Sequence, residues 1–385
     1  MHAISHLPDM KARVLTIMAT RSNDQELVTK VASDHHYTHR PDDAQPTQKG
    51  NKAKVLPSFG YHPWFSHLIH DDLNSEVSGK LDSQTHYTDV LTSTPINSDL
   101  VDRLPSPTPL SRILAETRAN LIAHSTALVG EVGLDRTFRI PLGAPGPQHN
   151  HPLSKHRVKP AHQIGILQAQ LRLAGELNRA ASVHIVGGQG IAFEALRELW
   201  RGHEIEVPSA KERKMLWRKK GDPIVDEHAI DAEDIEVASI EAKETNLPAP
   251  APAPTLSKSN PFPPRICLHS FSGPPETVQQ YLHPSIPVRF YFSFSEVINF
   301  STPGHGQKDG EEEVLDSSSA RALAAMKVVP EDRLLIETDL NVCGNVMDDL
   351  LEKVIRRICK ARGWNLEDGV TRLKQNWTSF VFGET

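Results

Sequence analysis

The stretch ALVGEVGLDR, residues 127–136, decides the fold. It opens as an apolar run of the kind that fills a buried parallel strand, then carries Glu131 wedged against glycine. The same pattern recurs at RICLHSFSG (265–273), which stops on His269, and at RLLIETDL (333–340), which stops on Asp339. A strand that is apolar along its length and polar only at its exit has an exit that faces a site.

Working outward, seven such runs stand in the chain: ARVLTIMAT (12–20), KVLPSFG (54–60), ALVGEVG (127–133), SVHIVG (182–187), RICLHSF (265–271), VRFYFSF (288–294) and RLLIET (333–338). Helical patterns separate most of them. QIGILQAQLRLAGELNRA (163–180) sets Ile166, Gln170, Leu173 and Leu177 about one turn apart, GIAFEALRELW (190–200) repeats the pattern, and MDDLLEKVIRRICKARGW (347–364) is amphipathic with a glycine stop. Strand alternating with helix predicts a parallel sheet, and this many units favour a TIM-type (β/α) barrel over an open sheet. Such a barrel needs eight strands, so one is missing. The deficit falls at the start, where polar MHAISHLPDMK leads straight into a strand. The expected organisation is a single barrel domain over 1–385 with two insertions. Residues 65–110 are rich in Ser, Thr, Asp and Pro, and 203–263 join an acidic run to the proline-stiffened LPAPAPAPTLSKSNPFPP, which is expected to be disordered.

Composition narrows the class. A hydrophobic content of 38% over 385 residues suffices for a real core. Lys and Arg number 42 against 48 Asp and Glu, a net charge of -6, which excludes an overall basic field holding nucleic acid nonspecifically. Three cysteines with no CxxC pair fit a reducing compartment. With no signal peptide and no apolar run of roughly 18 residues, the expectation is an intracellular protein of cytoplasm or nucleus with no membrane partner.

In a parallel barrel the strand C-termini converge on one mouth, so Glu131, His184, His269 and Asp339 are grouped although far apart in sequence. Two imidazoles and two carboxylates suit Zn, Mn or Mg, and carboxylates can bridge a metal pair that activates water and clamps a phosphoryl oxygen. Each residue alone has a plainer reading: His184 as a satisfied core histidine, Glu131 as a loop cap, Asp339 as a helix N-cap. Four polar residues at strand ends tip the balance toward a site.

Four motifs in order then carry a resemblance. GYHPW (60–64) is similar to a Gly-x-His-Pro signature, VGEVGLD (129–135) to a Gly-Glu-Ile-Gly-Leu-Asp strand, HSFSG (269–273) matches directly, and ETD (337–339) is similar to Glu-Ser-Asp. Together they resemble the TatD-type metal-dependent hydrolases, and most closely a fungal branch with long insertions, some members of which are named as interactors of an anaphase-promoting-complex subunit. The resemblance implies hydrolysis of DNA phosphoesters with one or two divalent ions. It makes Glu131, His184, His269 and Asp339 the metal ligands, Asp339 also the group that orients or deprotonates water, and His62 a substrate-side or supporting residue.

One departure weighs against this. The family opens with a strand ending in His-x-His, and the sequence has none; His2 and His6 are poor substitutes. Either the reading frame starts short of that strand or half of the site is lost. The alternative function is a catalytically weakened barrel acting as an interaction partner in cell-cycle machinery, with 203–263 as the docking segment. Other stretches add less. HHYTHR (35–40) reads as a solvated loop, GGQG (187–190) lacks the Lys-Ser/Thr of a phosphate loop and is explained by backbone geometry, and RKMLWRKK (213–220) reads as a solvated charge run.

Overall fold

All seven apolar runs become strands, because residues branched at Cβ and aromatic residues pack well on a sheet buried on both faces. In the computed structural model, which describes residues 2–35, 37, 54–73, 82–93, 95–96, 98–142, 152–208, 259–300 and 316–383, the strands are β1 (Val14–Met18), β2 (Lys54–Phe59), β3 (Ile69–His70), β4 (Thr108–Pro109), β5 (Leu128–Asp135), β6 (Ala181–Val186), β7 (Arg265–Leu268), β8 (Arg289–Ser295) and β9 (Leu334–Glu337). Seven of them form one sheet in the order β1-β2-β5-β6-β7-β8-β9, parallel at every pairing, while β3 and β4 pair with each other. Neighbours in the sheet are neighbours in sequence, the order of a TIM-type barrel, here with seven strands rather than eight.

Helices cover the outer face: α1 (Ser22–Asp34), α2 (Ser83–Val90), α3 (Ser98–Val101), α4 (Leu110–Ala123), α5 (Pro160–Glu176), α6 (Gln189–Trp200), α7 (Pro275–Tyr281), α8 (Glu296–Phe300), α9 (Ser317–Val328), α10 (Asn345–Arg362) and α11 (Leu366–Phe382). The main core joins Phe290, Phe292 and Phe294 of β8 to Leu167 and Leu171 of α5, Leu196 and Trp200 of α6 and Ile358 of α10. α10 stops where the sequence expects, at Gly363, whose φ of 67° is the left-handed conformation that favours glycine. The expected docking and disordered segment falls outside the described residues over 209–258, as does RKMLWRKK.

β1 and β9 pair with nothing on their outer sides among the described residues. Side chains of the N-terminal segment pack beside β1. The 3-10 segment His2–Asp9 packs Leu7, fully buried, and the chain after it packs Met10 against Val31 of α1, Val55 of β2 and Met347 of α10. Asp348 of α10 accepts the Lys11 N–H at 2.7 Å and the Ala12 N–H at 3.0 Å. This segment therefore touches both the first unit of the sheet and the last. Leu7→Ala is expected to destabilise the fold by roughly 2–5 kcal/mol, the range for emptying a packed apolar site. Val346→Ala, at a side chain 63% exposed, is expected to stay within about 0.5 kcal/mol. Denaturant unfolding of both variants measures the contrast.

Between β2 and β5 the chain has a small core of its own, with Tyr87 and Leu91 packed against Leu100, Ile140 and Val158. Histidines line its base. His86 donates from Nε2 to the His67 carbonyl and His162 from Nε2 to the Ser66 carbonyl, each at 2.9 Å, and the His86 and His162 rings lie 6.0 Å apart. Burial pushes His67 down to about 3 and His86 to about 4, and lowers His162 as well. These rings are therefore neutral when folded and take up protons on unfolding below about pH 6.5. Stability is present in full above that pH and falls as pH drops toward 4, by about 1.4 kcal/mol per pH unit for each of His67 and His86. Urea unfolding at pH 7 and pH 5 is expected to show this loss, and His67→Gln to shrink it.

Candidate metal centre

Glu131 owes its position to an irregularity in β5. Pairing with β6 runs Val129↔Ala181, then shifts before Val132↔Val183. Such a bulge breaks the alternation of faces and re-aims the residues inside it. Ser58 Oγ donates to the Gly130 carbonyl at 2.9 Å and the Glu131 N–H donates to the Ala19 carbonyl at 3.2 Å, so β1 and β2 hold the bulge from the other side. Gly133 is the second half of the device. A Cβ there would stand 2.0 Å from the His184 carbonyl oxygen, so only glycine lets β6 come this close. The strand runs on past Glu131 to Asp135, pairing Leu134 with Ile185 and Asp135 with Val186. The glutamate is thus mid-strand at a bulge rather than at an exit.

Three imidazoles close on one oxygen of that carboxylate. Glu131 Oε1 lies 2.9 Å from His269 Nε2, 3.1 Å from His62 Nε2 and 3.3 Å from His184 Nδ1. His184 stands inside β6, and His269 one residue beyond β7. Asp339 lies two residues beyond β9, with φ 57°, and its Oδ2 accepts from Ser270 Oγ at 3.5 Å. Its carboxyl is open to solvent, yet close enough to feel the charges of His269, Glu131 and His184. All four grouped residues, and His62 with them, therefore sit at one end of the sheet.

The hydrogen bonds sort the roles of the rings. A backbone N–H can only donate, so the Trp64 N–H, 3.2 Å from His62 Nδ1, fixes that nitrogen as an acceptor. The proton of the neutral His62 ring is then on Nε2 and points at Glu131. His62 consequently serves as a donor that holds the carboxylate and has no free lone pair for a cation, although His62, Glu131 and His184 offer three atoms within 4.8 Å of one another. His269 is different. Its Nδ1 lies 3.0 Å from Ser182 Oγ, which can accept a proton from Nδ1 and leave the Nε2 lone pair facing the centre. His184 Nε2 is buried with no hydrogen-bond partner, 3.6 Å from Asp135 Oδ2. A carboxylate oxygen ringed by imidazole nitrogens is a donor set that fits a divalent ion of the kind bound by nitrogen and oxygen ligands.

Electrostatics follow from the geometry. Burial favours the neutral Glu131 carboxyl, but the His269 charge and the three imidazole hydrogen bonds outweigh it and hold the group well below the usual carboxylate range. Burial likewise opposes charge on His269, yet Glu131, Glu337 and Asp339 push it up to about 9. Desolvation keeps His62 low, consistent with a neutral donor. Asp339 is pushed up to about 6 by partial desolvation in the mouth and by the adjacent Glu337.

Sequence reasoning passed over four residues that build the site. Asp135 accepts the Trp64 indole N–H at 2.6 Å and, through its other oxygen, the Thr137 and Phe138 N–H groups at 2.7 and 3.0 Å. Glu337 accepts both the N–H and the hydroxyl of Ser270, and the Ser293 hydroxyl at 2.8 Å, tying the loop of His269 to β8 and β9. Asp135, Glu337 and Trp64 stand inside VGEVGLD, ETD and GYHPW, so the signal was present. Ser182 carried none. Gly133→Ala is expected to cost at least about 3 kcal/mol, the upper end for overpacking, because the clash is with backbone. Gly165→Ala, where the nearest atom is 3.8 Å away, is the helical control and is expected to be neutral or stabilising. Thermal melting separates the two.

With the geometry in place, comparison with known proteins is direct. The TatD related DNase family matches residues 4–381. The Cut9-interacting protein scn1 of Schizosaccharomyces pombe is 32% identical over 385 residues, 99% of this chain and 94% of that protein. The uncharacterized deoxyribonuclease YMR262W of Saccharomyces cerevisiae is 25% identical over 344 residues, 86% of this chain and 83% of the relative. Among solved structures, an uncharacterized amidohydrolase from Saccharomyces cerevisiae superposes with a TM-score of 0.50 at 12% identity, covering 98% of this chain and 91% of that one, a likeness of fold.

Proposed function

The chain belongs to the TatD-related DNase family and is a hydrolase of that type; from this premise we propose that it cleaves phosphodiester bonds of DNA, using a divalent ion held by Glu131, His184, His269 and Asp339. The observation that carries the reading is the closure of three imidazole nitrogens, brought together from far apart in the sequence, on Glu131 Oε1. Magnesium, manganese or zinc bound there would polarise a phosphoryl oxygen and lower the pKa of water.

The chain's own groups set the stage for that chemistry. His62 holds Glu131 through Nε2–H and leaves the remaining lone pairs of the carboxylate facing inward. Ser182 fixes the His269 ring, and Glu337 fixes the turn that carries it. Asp339, at the solvent side of the cluster, orients or deprotonates the attacking water. Because the donors gather about one carboxylate, one tightly held ion per chain is the expected stoichiometry.

A second reading has a specific observation behind it. The fission yeast relative is named for interaction with Cut9, and a protein partner for this chain, engaged through 203–263 in cytoplasm or nucleus, would be compatible with hydrolysis. No helix among the described residues is long and apolar enough to cross a membrane.

Purified full-length chain loaded with manganese is expected to bind about one ion and to degrade a labelled oligonucleotide. Glu131→Gln should remove the ion, read by elemental analysis, and Asp339→Asn should lower kcat by about 100-fold or more while the chain still melts cooperatively. Hydrolysis that survives Glu131→Gln undiminished would sink the assignment.

A further inference from the structure

Three glycines follow β6 in GGQG, and backbone geometry accounts for two of them. Gly187 has φ 66°, which favours glycine, and a Cβ at Gly188 would stand 2.6 Å from Leu134 Cδ2. Gly190 has neither reason. Nothing lies within 4 Å of where its Cβ would be, and it occupies the first turn of α6, where alanine would be the more stable choice. What Gly190 does is leave bare backbone on the wall of a cleft of about 440 Å³.

The cleft is built from four segments of the sheet's C-terminal end. Arg136 follows β5 and Gly187 to Ile191 follow β6, while Ser272 to Pro274 come after β7 and Arg321 comes from α9. These loops also carry the metal centre: Arg136 adjoins Asp135, Gly187 is three residues beyond His184, and Ser272 three beyond His269. Two guanidinium groups line the cleft, and no carboxylate does among the described residues. Arg136 donates from Nη1 to the Gly187 carbonyl at 3.2 Å, which holds its charge over the loop. Arg321 makes no hydrogen bond or ion pair with another described residue. In a chain of net charge -6, two guanidiniums lining one cleft that no described carboxylate lines, beside a site for phosphoesters, form a local cationic patch suited to an anion.

We propose that this cleft binds a second phosphate of the substrate, distinct from the one hydrolysed, between the Arg136 and Arg321 guanidiniums and over the bare backbone at Gly190. The proposal rests on the phosphodiester reading and deepens it. It makes the substrate one with at least two phosphates. Planar guanidinium forks match phosphate oxygens, and charge-assisted bidentate pairs of this kind are the stronger hydrogen bonds. The second phosphate can be an internal diester of a polynucleotide or a phosphomonoester at its end; the chemistry is the same, and the substrates separate the two.

The test compares manganese-loaded full-length wild type, an Arg136→Gln/Arg321→Gln double variant and Gly190→Glu on three substrates. Bis(4-nitrophenyl) phosphate carries only the scissile phosphate, TpTpT carries a second internal diester, and pTpTpT adds a terminal phosphate. The double variant is expected to lose at least tenfold in kcat/KM on the nucleotide substrates, and at least fivefold more there than on bis(4-nitrophenyl) phosphate. Loss on both nucleotides identifies the internal diester, and loss on pTpTpT alone identifies the terminal group. Gly190→Glu sets a carboxylate into open space and should reproduce the pattern with no fall in Tm. Equal losses on all three substrates, or none, overturn the proposal.

Binding is read independently of hydrolysis by titrating the metal-free full chain with thymidine 3′,5′-bisphosphate. The double variant should bind at least tenfold more weakly than wild type. Equal binding, or none by wild type, overturns the cleft assignment. A wild type that hydrolyses none of the three substrates with magnesium, manganese or zinc, yet shows this binding difference, would instead remove the hydrolase reading and leave an anion site.

Discussion

The approach of β6 to β5 across Gly133 is the constraint on which the site depends. With no Cβ at Gly133, the His184 carbonyl comes to a distance that any side chain would forbid. The register shift between Val129 and Val132 then turns Glu131 toward the interior, and His184 arrives beside it. A carboxylate buried alone would neutralise itself. Here three imidazoles reach its one oxygen, from the loop after β2, from within β6 and from the residue after β7, and the ionised form is the favoured one. The bulge, the glycine and the imidazoles are thus a single arrangement, each useless without the others.

A ring of groups whose chemistry is spent on neighbours holds this arrangement in place. Asp135 fixes Trp64, whose backbone N–H fixes the tautomer of His62, whose Nε2–H fixes Glu131. Glu337 performs the same service on the opposite side, fastening Ser270 and Ser293 and so the loop that presents His269. Two carboxylates of the site therefore accept hydrogen bonds, and two others, Glu131 and Asp339, face the centre. Their surroundings explain why Asp339 is pushed up while Asp135 is held well below the usual range: one meets the charge of Glu337 in a partly desolvated mouth, the other faces the His184 ring and accepts from an indole, a hydroxyl and two backbone groups.

The fold was legible because its signal is additive along the chain. Seven apolar runs at barrel spacing need no knowledge of contacts, and each became a strand of the one parallel sheet. The bulge in β5 was not legible, since a register shift depends on what β6 brings to the pairing, and Glu131 read as an exit residue for that reason. Ser182 could not be found at all: serine alternating with apolar residues is ordinary strand sequence, and its bond to His269 spans 87 residues. The start of the chain was read as the place of a missing strand. MHAISHLPDMK looked polar, yet Leu7 and Met10 within it are spaced to meet Met347 and Val55 from one side of a short turn.

Net charge misled in a more instructive way. At -6 the chain has no global attraction for a polyanion, yet fields at this scale are local, because charges more than a Debye length of about 8–10 Å apart are largely screened in physiological salt. What a phosphate meets at the mouth is set by the groups lining it. Arg136 and Arg321 line the cleft beside the metal centre, and no carboxylate lines it among the described residues. Composition gives the net charge and only the fold reveals the local cleft, so a nuclease can be acidic overall without contradiction.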